Sequence, residues 1–78
     1  MSSIERTRIL VAEVLRIPPE RIEMETALSE VAQLDSLSLV EIASALDEEF
    51  DIRVPSDDLG TAQSLKDIVA IVERAPRR

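Results

Sequence analysis

Gly60 is the only glycine and Phe50 the only aromatic residue in 78 positions, and these two scarcities narrow the possible folds more than any motif does. Sheets draw on aromatic side chains and need glycine at tight turns, whereas a core of Leu, Ile, Val and Ala suits helices. Hydrophobic residues make up 45% of the chain, enough for a globule. A chain of this size buries only about 60% of the surface its unfolded state exposes, so the core has to be compact. The expectation is an all-α domain over residues 1–78: a small four-helix bundle of three main helices and one short one, with a long first loop.

Punctuation along the chain sets the element boundaries. In "SSIERTRILVAEVLRI", Ser2 and Glu5 have capping-box spacing and Ile4, Val11, Val14 and Leu15 share a side; Pro18 and Pro19 stop this helix. Residues 17–34 are irregular, with apolar anchors at Ile22, Met24, Leu28 and Val31, and a short helical turn is expected near Glu20 or Ala27. A connection this long in so small a domain wraps the core or serves a function. The next helix begins near Asp35 or Ser36 and runs to about Phe50, free of Gly and Pro. Pro55 or Ser56 opens a single turn that Gly60 ends. Ser64 and Asp67 then cap a last helix whose buried stripe is Leu65, Ile68, Val69 and Val72.

The helix over residues 36–50 carries two distinct faces at 100° per residue. Leu39, Ile42, Ala43, Leu46 and Phe50 make the core stripe. Leu37, Val40, Glu41, Ser44 and Glu48 lie opposite, flanked by Asp47 and Asp51, so two aliphatic residues stand among acids beside Ser36. An apolar patch ringed by charge is a plausible docking site. The net charge of −7 is concentrated here: Asp35, Glu41, Asp47, Glu48, Glu49, Asp51, Asp57 and Asp58 stand against Arg53 alone, and the rest of the chain balances. Such a field repels nucleic acid and anionic lipid and attracts basic protein surfaces.

Several function classes lack their parts. With no histidine and no cysteine, a nucleophilic serine has neither its usual base nor a thiol alternative, and disulfide, zinc-finger and thiol-redox chemistry are unavailable. The run "DEEFDIRVPSDD" lacks the alternating acids and central glycine of a calcium loop, so no metal site is expected. No catalytic residue is assigned. No apolar run reaches membrane-spanning length and charges interrupt the apolar N-terminal stretch, so a cytoplasmic protein is expected, without membrane or nucleic-acid partners.

Ser36 is therefore an exposed hydroxyl at a helix start with nothing to activate it. Asp35 or Ser36 would serve as N-cap. A phosphodiester on Ser36 would also be well placed, because its charge would lie at the positive end of the helix dipole. The stretch "LDSLSLVEIASALDEEFDIRVP" resembles the acyl carrier proteins, whose signature is Asp-Ser-Leu at the start of the second helix, then Val-Glu and an acidic run ending Glu-Glu-Phe. The first helix, long loop and last helix also fall at family spacing.

The resemblance implies that a phosphopantetheinyl transferase attaches a phosphopantetheine arm from coenzyme A to Ser36, with Asp35 beside that enzyme's metal. Cargo would ride on the arm as a thioester. Leu37, Val40, Glu41, Ser44, Asp47 and Glu48 would meet the basic surfaces of the loading enzyme and of a downstream synthase or transferase. Ala32, Gln33 and Leu34 stand where fatty-acid-type carriers have leucine, glycine and another residue, so the motif is closer to D-alanyl, aminoacyl or specialised-metabolite carriers. A free-standing monomeric carrier of acyl or aminoacyl groups is the expectation. The alternatives are a carrier of fatty-acid synthesis and, in a different class, an acidic helical adaptor with no prosthetic group.

Overall fold

The computed structural model describes residues 2–77, which form α1 (Ser3–Leu15), a 3₁₀ turn (Pro19–Arg21), α2 (Leu28–Val31), α3 (Ser36–Phe50), α4 (Ser56–Leu59) and α5 (Leu65–Arg74). The three long helices are those expected. The long first loop holds two short turns, the 3₁₀ turn and α2, where one was expected, and α4 is the expected single-turn helix. Among the described residues β-type pairing is confined to the isolated bridges Ala27–Ser64 and Ile52–Arg77.

The helix starts follow the capping residues, but each capping box is only half made. Ser2 Oγ accepts from the Glu5 N–H at 3.2 Å, while the Glu5 carboxylate turns to Arg8 at 2.8 Å. At α5 the opposite half survives: Ser64 makes no side-chain cap bond, and Asp67 Oδ2 accepts from the Gln63 N–H at 2.9 Å. α1 and α3 both end on a non-glycine residue in the left-handed region, Arg16 (φ 60°) and Asp51 (φ 54°). The cost of that conformation is offset by the carbonyls it satisfies. Ile17 N–H reaches Ala12 O at 3.1 Å, and Ile52 N–H reaches Asp47 O at 3.2 Å, the long bond of a Schellman ending. Gly60 does end α4, but with φ −62° rather than a left-handed turn. A Cβ there would sit 3.2 Å from Asp57 O, so glycine serves a close approach and not a handedness.

The core gathers Val11, Ile22, Leu28, Ile42, Leu46, Leu59, Leu65 and Ile68, each at most 2% exposed. α1 packs on α3 and α5, and α4 bridges α3 and α5. The stripe expected on α1 is rotated: Thr7, Val11 and Ala12 are its buried residues, Val14 and Leu15 are half-buried, and Ile4 is exposed. Patterning favoured the aliphatic Ile4 over a threonine, yet Ile4 at the start of α1 is 37% exposed and Thr7 is wholly buried. On α3 the core side follows expectation, with Ile42, Ala43 and Leu46 buried and Leu39 and Phe50 partly so. The loop before α3 is core material, since Ile22 and Leu28 are each 1% exposed. Two backbone bonds stitch it to the start of α5, Leu28 N–H to Gln63 O at 2.8 Å and Lys66 N–H to Met24 O at 3.0 Å.

Candidate functional site

Asp35 builds the start of α3. Its backbone is extended (φ −113°, ψ 177°) and its Oδ1 accepts from the Ser38 N–H at 2.8 Å, while its carbonyl takes the Leu39 N–H at 3.1 Å. Asp35 is thus the N-cap and Ser36 is the first helical residue, freed from capping duty. The Ser38 backbone N–H, and after it the Ser38 hydroxyl, hold the Asp35 carboxyl below the usual carboxylate range. The cap is therefore ionised and aligned with the helix dipole.

Ser36 is exposed at the rim of an open cleft of ≈ 230 Å³ lined also by Leu39, Val40, Ser56, Asp57 and Gly60. α3 supplies one wall and α4 the other. The α4 residues were not among those singled out from sequence, because their nearness to Ser36 arises only when residues 52–55 fold back. Ile52 and Val54, each about 5% exposed or less, bury themselves as anchors of that reversal. The "IRV" alternation was its one sequence signal.

The face opposite the core stripe is largely open. Leu37 is 65% exposed and Val40 51%, and Glu41, Ser44 and Glu48 are exposed around them. Asp47 differs from the rest of that group. It is half-buried, and its Oδ1 accepts from the Val54 N–H at 2.7 Å. Its carboxylate holds the turn after α3, so it is a less available charge than its place on the helical wheel implies. Glu49 and Phe50 are likewise engaged: Arg6 of α1 donates from Nε to Glu49 Oε2 and from a terminal nitrogen to the Glu49 carbonyl, both at 3.0 Å. Its guanidinium lies 4.7 Å from the centre of the Phe50 ring, within cation–π range.

The described residues contain no cluster of acids, histidines or cysteines that could hold a metal ion. A phosphodiester fits the site. Ser36 Oγ is exposed, the helix behind it is fifteen residues long, and an anion at its first turn meets the positive end of the dipole. The cleft opens beside Ser36 between α3 and α4.

Residues 5–72 match the family profile described as "Phosphopantetheine attachment site". Among similar proteins, the acyl carrier protein of Campylobacter concisus is 31% identical over 74 residues, covering 95% of this chain and 96% of that one. The acyl carrier protein of Helicobacter hepaticus is 32% identical over 73 residues, 94% and 96% of the respective chains. That of Thermosynechococcus vestitus is 29% identical over 69 residues, 88% and 85%. A match that begins in α1 and runs through to α5 takes in the long loop and the capped serine together, and the chain belongs to the phosphopantetheine-attachment family of acyl carrier proteins.

Proposed function

We propose that this protein is a free-standing carrier that holds acyl or aminoacyl groups as thioesters on a phosphopantetheine arm joined to Ser36 and moves them between biosynthetic enzymes in the cytoplasm. Family membership makes it a carrier rather than an enzyme, with phosphopantetheine as its covalent prosthetic group and the transferase and biosynthetic enzymes as its partners. The observation that carries the assignment of Ser36 is its position: exposed, first in α3, with capping left to Asp35. In the loading step Ser36 Oγ attacks a phosphorus of the coenzyme A pyrophosphate. A P–O bond to the serine forms, the bond to the adenosine-side phosphate breaks, and the hydroxyl proton passes to a base of the transferase. Asp35, kept ionised beside the serine, would be available to the metal that the transferase supplies. The arm's terminal thiol then supplies the thioester chemistry, and Leu37, Val40, Glu41, Ser44 and Glu48 form the contact face, with Asp47 at its margin. The chain acts as a monomer comprising one carrier domain.

Intact mass after incubation with a phosphopantetheinyl transferase, coenzyme A and magnesium is expected to show one arm per chain, and none on Ser36→Ala. Labelling of the variant at Ser38 or Ser44 would refute the assignment. On cargo, the reading favoured is a small polar acyl or aminoacyl group. Leu28, Leu46, Leu59, Leu65 and Ile68 are packed to 2% exposure or less, and the cleft that reaches Ser36 is bordered by Ser56 and Asp57. A long alkyl chain left in water forfeits roughly 0.8 kcal/mol for each methylene that could have been buried. Octanoyl loading is therefore expected to leave the thermal midpoint and the methyl NMR shifts of Leu46, Leu59 and Ile68 nearly unchanged. Large shifts there with a clear gain in stability would place the protein with fatty-acid carriers.

A further inference from the structure

α4 is a wall with two sides. Ser56, Asp57 and Gly60 border the cleft beside Ser36, whereas Pro55, Asp58 and Thr61 border a second and larger cleft of ≈ 460 Å³, closed by the end of α5 and the residues after it. This second cleft has the opposite electrical character to the rest of the molecule. Arg53 and Arg74 line it against the single acid Asp58, and Arg77 follows the lining residue Pro76 in the chain. In a protein of net charge −7 these cations would be expected to find carboxylates. They do not: the ion pairs among the described residues are Arg6–Glu49 and Arg8–Glu5. Arg74 spends only its Nε, on the Ala70 carbonyl at 3.3 Å.

The backbone carrying these arginines is fixed. Arg53 N–H donates to Pro76 O at 3.0 Å, and Ile52 pairs with Arg77 in a bridge, so both rims of the cleft are tied together before any ligand arrives. Pro55, Ile71 and Pro76 give it apolar surface between the charges. Guanidinium groups suit carboxylates because two parallel N–H bonds match the two oxygens, and a site held ready in advance loses less entropy on binding.

We propose that this cleft docks a short acidic segment of a partner protein, its carboxylates paired with Arg53 and Arg74 and a neighbouring aliphatic side chain resting on Pro55, Ile71 and Pro76. Nucleic acid or an anionic bilayer would present charge over a span wider than the cleft and would meet the acidic residues of α3 and α4 within a Debye length of roughly 10 Å. A single segment meets only the local positive field. Docking there would hold the carrier by a different surface from Ser36, Leu37 and Val40, leaving the serine and its patch free for a second protein. The inference does not depend on what is attached to Ser36.

The test is an NMR titration of the ¹⁵N-labelled full chain with a short blocked peptide of alternating glutamate and leucine at low ionic strength. Saturable shifts are expected at the amides of Arg53, Thr61, Arg74 and Ala75, with affinity lowered about tenfold in the double variant Arg53→Glu/Arg74→Glu. Arg53→Gln/Arg74→Gln should show an intermediate loss, which a disturbed fold would not produce. Both variants should accept the arm on Ser36 at wild-type rates. Absent shifts, shifts centred on α3, or unchanged affinity in the double variants would overturn the proposal. So would stronger shifts of the same amides by inorganic phosphate or by phosphatidylserine vesicles, which would reassign the cleft to free phosphate or to a membrane.

Discussion

The two ends of α3 differ in composition and in use. At its start, Asp35 caps the helix and the side chains that follow, Ser36, Leu37 and Val40, reach into solvent. At its end, two of the three acids are fasteners: Asp47 takes the Val54 N–H, and Glu49 with Phe50 is clamped by Arg6 of α1, while Glu48 stays exposed. An acidic residue on a helix can present charge or hold backbone, and what decides between the two is whether a donor from another element comes within reach. Hence the helix is anchored near its end by Asp47 and Glu49, while its start and one exposed face are open to partners.

Four variants probe that contrast. Asp47→Ala should have the largest effect on stability, since it removes a charged acceptor from a part-buried N–H and leaves that donor unpaired; a loss of about 2 kcal/mol in urea unfolding is expected. Glu48→Ala, its exposed neighbour, should stay within about 0.5 kcal/mol of wild type. Equal losses for the pair would erase the distinction between fastening and presenting acids. Next comes Glu41→Lys/Glu48→Lys. At subsaturating transferase and low ionic strength its modification rate should fall about tenfold, with the gap closing at high salt and helix content unchanged. Wild-type rates at low salt would mean that these acids are only solvated surface.

The smallest effect is expected from Asp35→Asn. Because the folded-state pKa of Asp35 is lowered, its ionised carboxylate stabilises the fold fully above the ordinary aspartate range. That stabilisation is lost as pH falls through the lowered value. Asparagine remains a good cap but does not titrate. The thermal midpoint of wild type should therefore exceed that of the variant slightly near neutrality, and the difference should disappear in acid. A constant difference across that range would assign the effect to cap geometry rather than charge.

Much of this was legible in the residues. Ser2, Asp35, Pro55 and Ser64 mark helix starts because capping and proline chemistry are local, and the scarcity of glycine and aromatics pointed to helices throughout. The exposed Leu37 and Val40 follow from the 3.6-residue period. Harder to read were features made by contact between distant segments. Arg6 meets Glu49 across 43 residues of chain, and nothing in either sequence neighbourhood announces it. Asp47 looked like one more surface acid because its donor, Val54, lies beyond a reversal of the chain. Thr7 is wholly buried and its hydroxyl has no hydrogen-bond partner among the described residues, so polarity misplaced the buried side of α1. The Arg53–Arg74 cleft exists only because the end of the chain returns to residues 52 and 53.

The stitching of the first loop to α5 closes a ring of backbone. From Met24 and Leu28 the chain passes through α3 and α4 and returns to Gln63 and Lys66, where two hydrogen bonds shut it. In polymer terms the entropy of closing such a ring grows only with the logarithm of its length, about 0.6 kcal/mol for each doubling. Added residues inside it, at the turn joining α3 to α4 for instance, would therefore cost little in closure. Both walls of the cleft beside Ser36 lie within this ring, held by the clasp together with the packing of α1 on α3 and of α4 on α5. The geometry around the serine is thus secured in part at a point on the ring far along the chain from the serine itself.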